Sequence, residues 1–191
     1  MRPPELVAVG ASLGGLKACE LLLSGLPATF SLPIVIVQHR RPEGDGRISE
    51  ILRGRTPLRV CEPEDKQELI GGTVYIAPPG YHLLVERGLL ELSTEAAVLY
   101  ARPSVDVLFE SVADAYGEGA LGVILTGSNE DGVRGAVRIK RAGGTVWVQD
   151  PATAEDDCTV RAVLAVKAAD EVLTLEQMSR RLSRLGARRL A

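Results

Sequence analysis

Three residue types that together can turn a hydroxyl into a nucleophile stand at the ends of apolar runs in this 191-residue chain. The run Leu6–Val9 leads into Gly10-Ala11-Ser12-Leu13-Gly14-Gly15, a G-x-S-x-G pattern. A helical spacing of Leu16, Cys19, Leu22 and Leu23 follows it. Glycines permit a tight turn, so the Ser12 hydroxyl can project from a sheet edge. The helix behind that turn offers free N–H groups and a favourable dipole to an oxyanion, with the Leu13 N–H as first donor. Taken without its neighbours, the same pattern is a plain glycine-rich turn in which Ser12 caps the helix.

A serine hydroxyl is a weak nucleophile and needs a neighbouring base. The chain has two histidines. His39 ends the second apolar run, Leu32–Val37, whereas His82 is placed at a hairpin turn and read as structural. Adjacent parallel strands would bring Ser12 and His39 to one sheet edge, which favours His39 as the base. A third member should fix the imidazole tautomer and stabilise its protonated form. Asp131 and Asp150 both follow strand-like runs, and each can equally be a helix or loop cap; residue type alone does not choose between them. The order Ser, His, Asp differs from the Ser, acid, His order of α/β-hydrolases. A histidine base predicts activity that falls in acid as the ring takes up a proton.

The elements that must hold these residues alternate along the chain. Strands are predicted at Leu6–Val9, Leu32–Val37, Leu58–Cys61, Thr73–Ala77, Ala120–Leu125 and Thr145–Val148. Helices are predicted at Leu16–Leu26, around Ile48–Leu52, after the Ser104 N-cap, at Val133–Ala142, Val160–Lys167 and Leu175–Leu185. His82–Glu86 and Leu89–Leu92, flanking Arg87-Gly88, predict a hairpin, and residues 151–158 a polar loop. Continuous apolar strands alternating with helices indicate an α/β fold with a mostly parallel sheet covered on both faces. In such sheets, ligands bind outside the carboxyl ends of the strands.

Apolar residues make up 46% of the chain and charged residues 25%, with a net charge of −3. No basic run is present to suggest broad binding to nucleic acid or to a membrane surface. Arg180, Arg181, Arg184, Arg188 and Arg189 are read as the solvated face of a last helix, with docking of an acidic partner as the alternative. Cys19, Cys61 and Cys158 lack the pairing or spacing of a disulfide framework or zinc site and are read as small buried thiols. Met1–Glu5 is short and polar, and the apolar run behind it is too short to span a bilayer, so a cytoplasmic location is expected.

Six ordered segments carry a family resemblance. They are Val9–Gly15, Val37–His39, Tyr75–His82, Arg102–Asp106, Leu125–Gly127 with Asp131-Gly132, and Ala142–Gly144 leading into Gln149–Pro151. Together they resemble the catalytic domain of the CheB family of chemotaxis protein-glutamate methylesterases, from about residue 6 to residue 178. The resemblance implies a three-layer, Rossmann-like sheet. Chemotaxis members of the family carry a receiver domain ahead of it, whereas here the catalytic strand begins within a few residues of Met1, so a single catalytic domain over 1–191 without a receiver domain is expected, as a stand-alone member or an excised domain. It implies Ser12 as nucleophile, His39 as base and Asp131, rather than Asp150, as orienting acid. Leu13, Gly14 and Ser128 would border the oxyanion and the substrate. The implied substrates are methyl-esterified glutamates on the helical cytoplasmic region of chemoreceptors, with glutamine deamidation as a second activity and no metal or cofactor. Two positions depart from the family pattern: Leu13, where a small hydroxyl residue is usual, and Ser128-Asn129, where Met-Gly is usual.

Two other readings compete. A nucleotide-binding domain could cradle phosphate at Gly10, Gly14 and Gly15. Against it, Ser12 takes the middle glycine position, and Gln38-His39 stands where an acidic ribose ligand is expected. A module that binds a receptor or signalling partner with weak or no catalysis is the other.

Overall fold

The computed structural model describes residues 2–40 and 47–187. Arg188, Arg189 and residues 41–46 of the polar stretch lie outside the described residues. In chain order the elements are β1 (Leu6–Ala11), α1 (Gly15–Ser24), β2 (Ile34–Gln38), α2 (Arg47–Arg53), β3 (Arg59–Cys61) and β4 (Thr73–Ile76). Then come β5 (His82–Glu86), β6 (Leu89–Ser93), α3 (Val105–Tyr116), β7 (Ala120–Ile124), α4 (Val133–Arg141), β8 (Thr145–Gln149), α5 (Cys158–Ala165), β9 (Glu171–Leu173) and α6 (Leu175–Leu185).

Every residue of β1, β2 and β7 is buried. Successive strand residues face opposite ways, so an unbroken apolar run must be covered on both sides. Val7, Val9, Ile34, Ile36, Leu121 and Val123 enter one apolar cluster with α1 and α6. Leu6, Ala8, Val35, Val37, Ala120 and Ile124 enter a second cluster with α3, α4 and α5. Fully burying one such side chain stabilises by roughly 1.5–3 kcal/mol, so this two-sided burial holds the strand ends firmly.

The seven-stranded sheet is parallel throughout, in the order β3-β4-β2-β1-β7-β8-β9. From β1 the chain adds β2, then the edge strand β3, then β4 between β2 and β3, all on one side, and returns to β7 on the other. The reversal falls between β1 and β7, the kind of crevice in which open α/β sheets bind ligands. Register does the rest: Ala11 pairs with Gln38, so Ser12 and His39 leave the sheet side by side. Gly10 pairs with Ile124, which brings the turn after β7 to the same edge. The hairpin β5–β6 stands outside this sheet as a separate antiparallel pair packed on α3, with the Val85 N–H donating to Ser111 Oγ.

The structure departs from the sequence-based expectations at a few places. The edge strand β9 was not anticipated; it has three residues, of which only Leu173 is buried, so no pattern marks it. His82 does not sit in the hairpin turn, which is at Arg87-Gly88; it opens β5 and is 1% exposed. Residues 151–158 include a short 3-10 turn at Pro151–Thr153, and α5 already starts at Cys158. Cys19 is buried, and burial pushes its thiol up to about 12, but Cys61 is half-buried and Cys158 is exposed. Position explains Cys158, which is the first residue of α5 and faces solvent before the helix turns inward.

Candidate active site

Ser12 leaves β1 with its N–H bonded to the Thr126 carbonyl (3.0 Å), which ties the turn after β1 to the end of β7. It does not cap α1. The cap is Gly14, at φ 75°, a left-handed conformation that costs glycine nothing, and no side chain bonds the helix end. The Ser12 hydroxyl is thereby left free, and its Oγ lies 3.1 Å from His39 Nδ1. The other ring nitrogen, Nε2, lies 2.6 Å from Asp131 Oδ2. An ionised carboxylate only accepts, so Nε2 carries the proton and Nδ1 turns a lone pair to Ser12. That is the tautomer a base needs.

Asp131 is 1% exposed and does not cap its own helix; Gly132 occupies the N-cap of α4. Its carboxylate instead receives the first turn of α3. Oδ1 accepts from Ser104 Oγ (2.7 Å) and the Asp106 N–H (3.0 Å), and Oδ2 from the Val105 N–H (2.7 Å). A carboxylate at a helix N-terminus is favoured by the exposed N–H groups and the dipole. Burial pushes the Asp131 carboxyl up, but bonds from His39, the Asp106 N–H, Ser104 and the Val105 N–H outweigh it and hold it below the usual carboxylate range. Asp131 therefore stays ionised beside the imidazole. Asp150 is elsewhere: its carboxylate caps the 151–153 turn through the Ala152 N–H.

Several side chains that support this arrangement were not picked out from the sequence. Gln38 Nε2 donates to the Ser12 carbonyl (2.8 Å) and the His39 carbonyl (3.1 Å), fastening the two peptides together. Thr126 Oγ accepts the Asp156 N–H (2.9 Å) and faces the carbonyls of Leu13 (2.9 Å) and Asp156 (3.0 Å). Ser104 was read as an N-cap, which it is, through the Val107 N–H; its hold on Asp131 carried no separate signal. His82 Nδ1 accepts the Ser104 N–H (3.2 Å), so its Nε2–H donates to the Ala96 carbonyl (3.1 Å).

An open cleft of about 610 Å³ lies over Ser12 and His39, lined also by Leu13, Gly14, Gln38 and Ser128. Among the described residues the Leu13 and Ser128 N–H groups make no hydrogen bond, which leaves them free to meet an oxyanion. The Gly127 N–H is not free, because it donates to the Asp156 carbonyl (3.0 Å). The Leu13 side chain is 51% exposed, so this departure from the family pattern adds an apolar lip to the cleft and leaves the backbone donor in place. A second cleft, of about 550 Å³, opens at the amino ends of the strands beside Trp147 and Arg181; neither Ser12, His39 nor Asp131 lines it. Among the described residues, no group of three or more His, Cys, Asp or Glu could hold a metal ion. No helix among them is long and apolar enough to cross a membrane.

A serine, an imidazole and a buried carboxylate in hydrogen-bonded sequence, at the reversal point of a doubly covered parallel sheet, define an α/β protein built like a serine hydrolase. The chain belongs to the CheB methylesterase family, which it matches over residues 7–182. The crystal structure of the Thermotoga maritima CheB methylesterase catalytic domain superposes with a TM-score of 0.90 at 33% identity, covering 95% of this chain and 98% of that one. A protein of Leptospira interrogans serovar copenhageni, provisionally named protein-glutamate methylesterase/protein-glutamine glutaminase, is 42% identical over 182 residues, 95% of this chain and 94% of that protein. The protein-glutamate methylesterase FrzG of Myxococcus xanthus is 41% identical over 177 residues; these are 92% of this chain and 53% of FrzG.

Proposed function

We propose that this protein is a protein-glutamate methylesterase, with protein-glutamine glutaminase activity at the same site. Its substrates are glutamate methyl esters on the helical cytoplasmic region of chemoreceptors, and it works in the cytoplasm in chemotaxis or a related sensory pathway. The observation that carries the reading is the Ser12–His39–Asp131 sequence of hydrogen bonds opening on a cleft with free N–H groups. The names of the relatives supply the substrate class.

His39 Nδ1 takes the Ser12 proton as Oγ attacks the ester carbonyl. The Leu13 and Ser128 N–H groups receive the oxyanion, and losing one such donor typically costs about 10²–10³ in rate. The tetrahedral intermediate collapses, and the imidazolium gives its proton to the departing methanol. Water, deprotonated by His39, then attacks the glutamyl-Ser12 ester and releases a glutamate carboxylate and the free serine. With glutamine the same steps release ammonia. Asp131 stays ionised throughout and stabilises the imidazolium. The chemistry requires neither metal nor cofactor. An assembled set of three such groups favours catalysis over a purely receptor-binding role, and the filled Gln38-His39 strand end disfavours nucleotide binding.

Methanol release from receptor fragments carrying labelled methyl esters tests this, comparing the protein with Ser12→Ala. Release that vanishes in the variant is expected. Equal release from both proteins would overturn Ser12 as the nucleophile, and no release from either would overturn the activity.

A further inference from the structure

We propose that Asp106 is a positioning residue for Asp131, holding it against His39 through a reciprocal exchange of carboxylates between two helix ends. Asp131 ends the loop before α4, yet its carboxylate binds the N-terminus of α3. Asp106 lies in the first turn of α3, yet its Oδ1 accepts the Gly132 N–H (2.9 Å) and the Gly135 N–H (2.8 Å) at the N-terminus of α4. Each helix thus has its free N–H groups satisfied by the other's acid.

The exchange closes a ring. The Asp106 N–H bonds Asp131, and the Asp106 carboxylate bonds Gly132, the residue next to Asp131. Asp131 is therefore gripped from both sides of its Cα, and neither helix can shift along the other without breaking the ring. The helices approach closely enough for this because of two glycines. A Cβ on Gly132, at φ 109°, would stand 2.8 Å from Val105 Cγ1, and one on Gly135 would stand 2.4 Å from Phe109 Cβ.

Asp106 is a costly residue to keep for packing alone. It is 1% exposed, and its Oδ2 is buried with no hydrogen-bond partner among the described residues. Burial pushes its carboxyl up; the Gly135 N–H opposes that, Asp131 adds to it, and the Gly132 N–H and the exposed Arg134, itself paired with Glu110, oppose it. A buried polar oxygen without a partner loses its hydration and gains no bond in return. Such a cost is retained where the geometry it enforces has a use.

The inference rests on Asp131 being the orienting acid, so the test includes a readout independent of turnover. The His39 Nε2–H, in a short charge-assisted bond to Asp131, is expected to give a far-downfield proton NMR signal. In Asp106→Ala we expect that signal to broaden or disappear. We also expect kcat for methanol release to fall at least about tenfold with KM nearly unchanged, since an error of ~1 Å in a catalytic group costs up to ~10²-fold. Asp106→Asn, whose amide oxygen can accept the same two bonds, should restore both. Asp106→Ser replaces the alanine variant if that does not fold. The proposal is overturned if the folded Ala or Ser variant keeps the signal and kcat, or if Asp106→Asn is as impaired as they are. Loss of turnover in the wild-type protein with the signal intact would instead strike at the esterase reading.

Discussion

Gly15→Ala sets two physical effects of opposite sign against each other. Helix propensity alone favours alanine over glycine by up to about 1 kcal/mol, which would stabilise α1. The structure opposes it: a Cβ at Gly15 would stand 2.1 Å from Gln38 Oε1 and 2.6 Å from Ala11 Cβ. Ala11 is strand backbone in a full core and cannot retreat, so the Gln38 amide must move. Its Nε2 would then lose the Ser12 and His39 carbonyls, two bonds worth about 0.5–1.5 kcal/mol each. Overpacking adds a cost of about 1–3 kcal/mol. The clash wins, with a net destabilisation of about 1–5 kcal/mol in urea denaturation. The Ser12 and His39 peptides lose their common tie, and initial rates of methanol release should fall about 10- to 100-fold. A second measurement isolates the cause. In a Gln38→Ala background only the approach to Ala11 Cβ remains and no amide is displaced, so Gly15→Ala should cost less there than alone. A Gly15→Ala protein as stable and active as the wild type, or additive costs in the double variant, would refute the clamp.

The other predictions concern the carboxylate and its supports. Ser104→Ala removes a hydroxyl from Asp131 and the N-cap of α3, so a loss of about 2–4 kcal/mol is expected by thermal or urea melts, with Asp131 titrating at higher pH. Asp131 is held below the usual carboxylate range, so its stabilisation is present at neutral pH and lost as pH falls through its folded value. The stability gap between wild type and Asp131→Asn should therefore narrow in acid; a gap that is constant from pH 7 to about pH 3 would contradict the hydrogen-bond assignment. Thr126→Val keeps the shape but deletes the oxygen that receives the Asp156 N–H and faces the Leu13 carbonyl, and should cost about 1–3 kcal/mol with a lower kcat. An unchanged kcat would mean that the Leu13 peptide is held without it.

The parts of the fold written as long buried runs could be read from the sequence. β1, β2 and β7 announce themselves because both of their faces are covered, and strand-end logic then points to Ser12 and His39. What could not be read is whatever depends on an angle between elements. Asp131 and Asp150 share the same local signature, an acid after a buried strand, and only the packing of α3 against α4 brings one to the imidazole. The choice between them came from family resemblance, not from residue chemistry. Gln38 and Ser104 look like a strand end and a cap; their second hydrogen bonds join residues 26 and 27 positions apart in the chain. β9 was missed because a three-residue edge strand leaves no periodicity to detect.

Sheet order has a consequence for how the polypeptide comes to be active. Ser12 and His39 lie in the first fifth of the chain, and their strands pair directly with each other. The carboxylate arrives on the far side of β1, after α3 and β7 have been made. A nascent chain emerging from the ribosome thus exposes a serine and an imidazole long before it has anything to orient them. Truncated products share that silence. The exposed turn at Leu99-Tyr100 divides the molecule between these two contributions, so two fragments cut there would each carry an unfinished site and regain it only by reassembling.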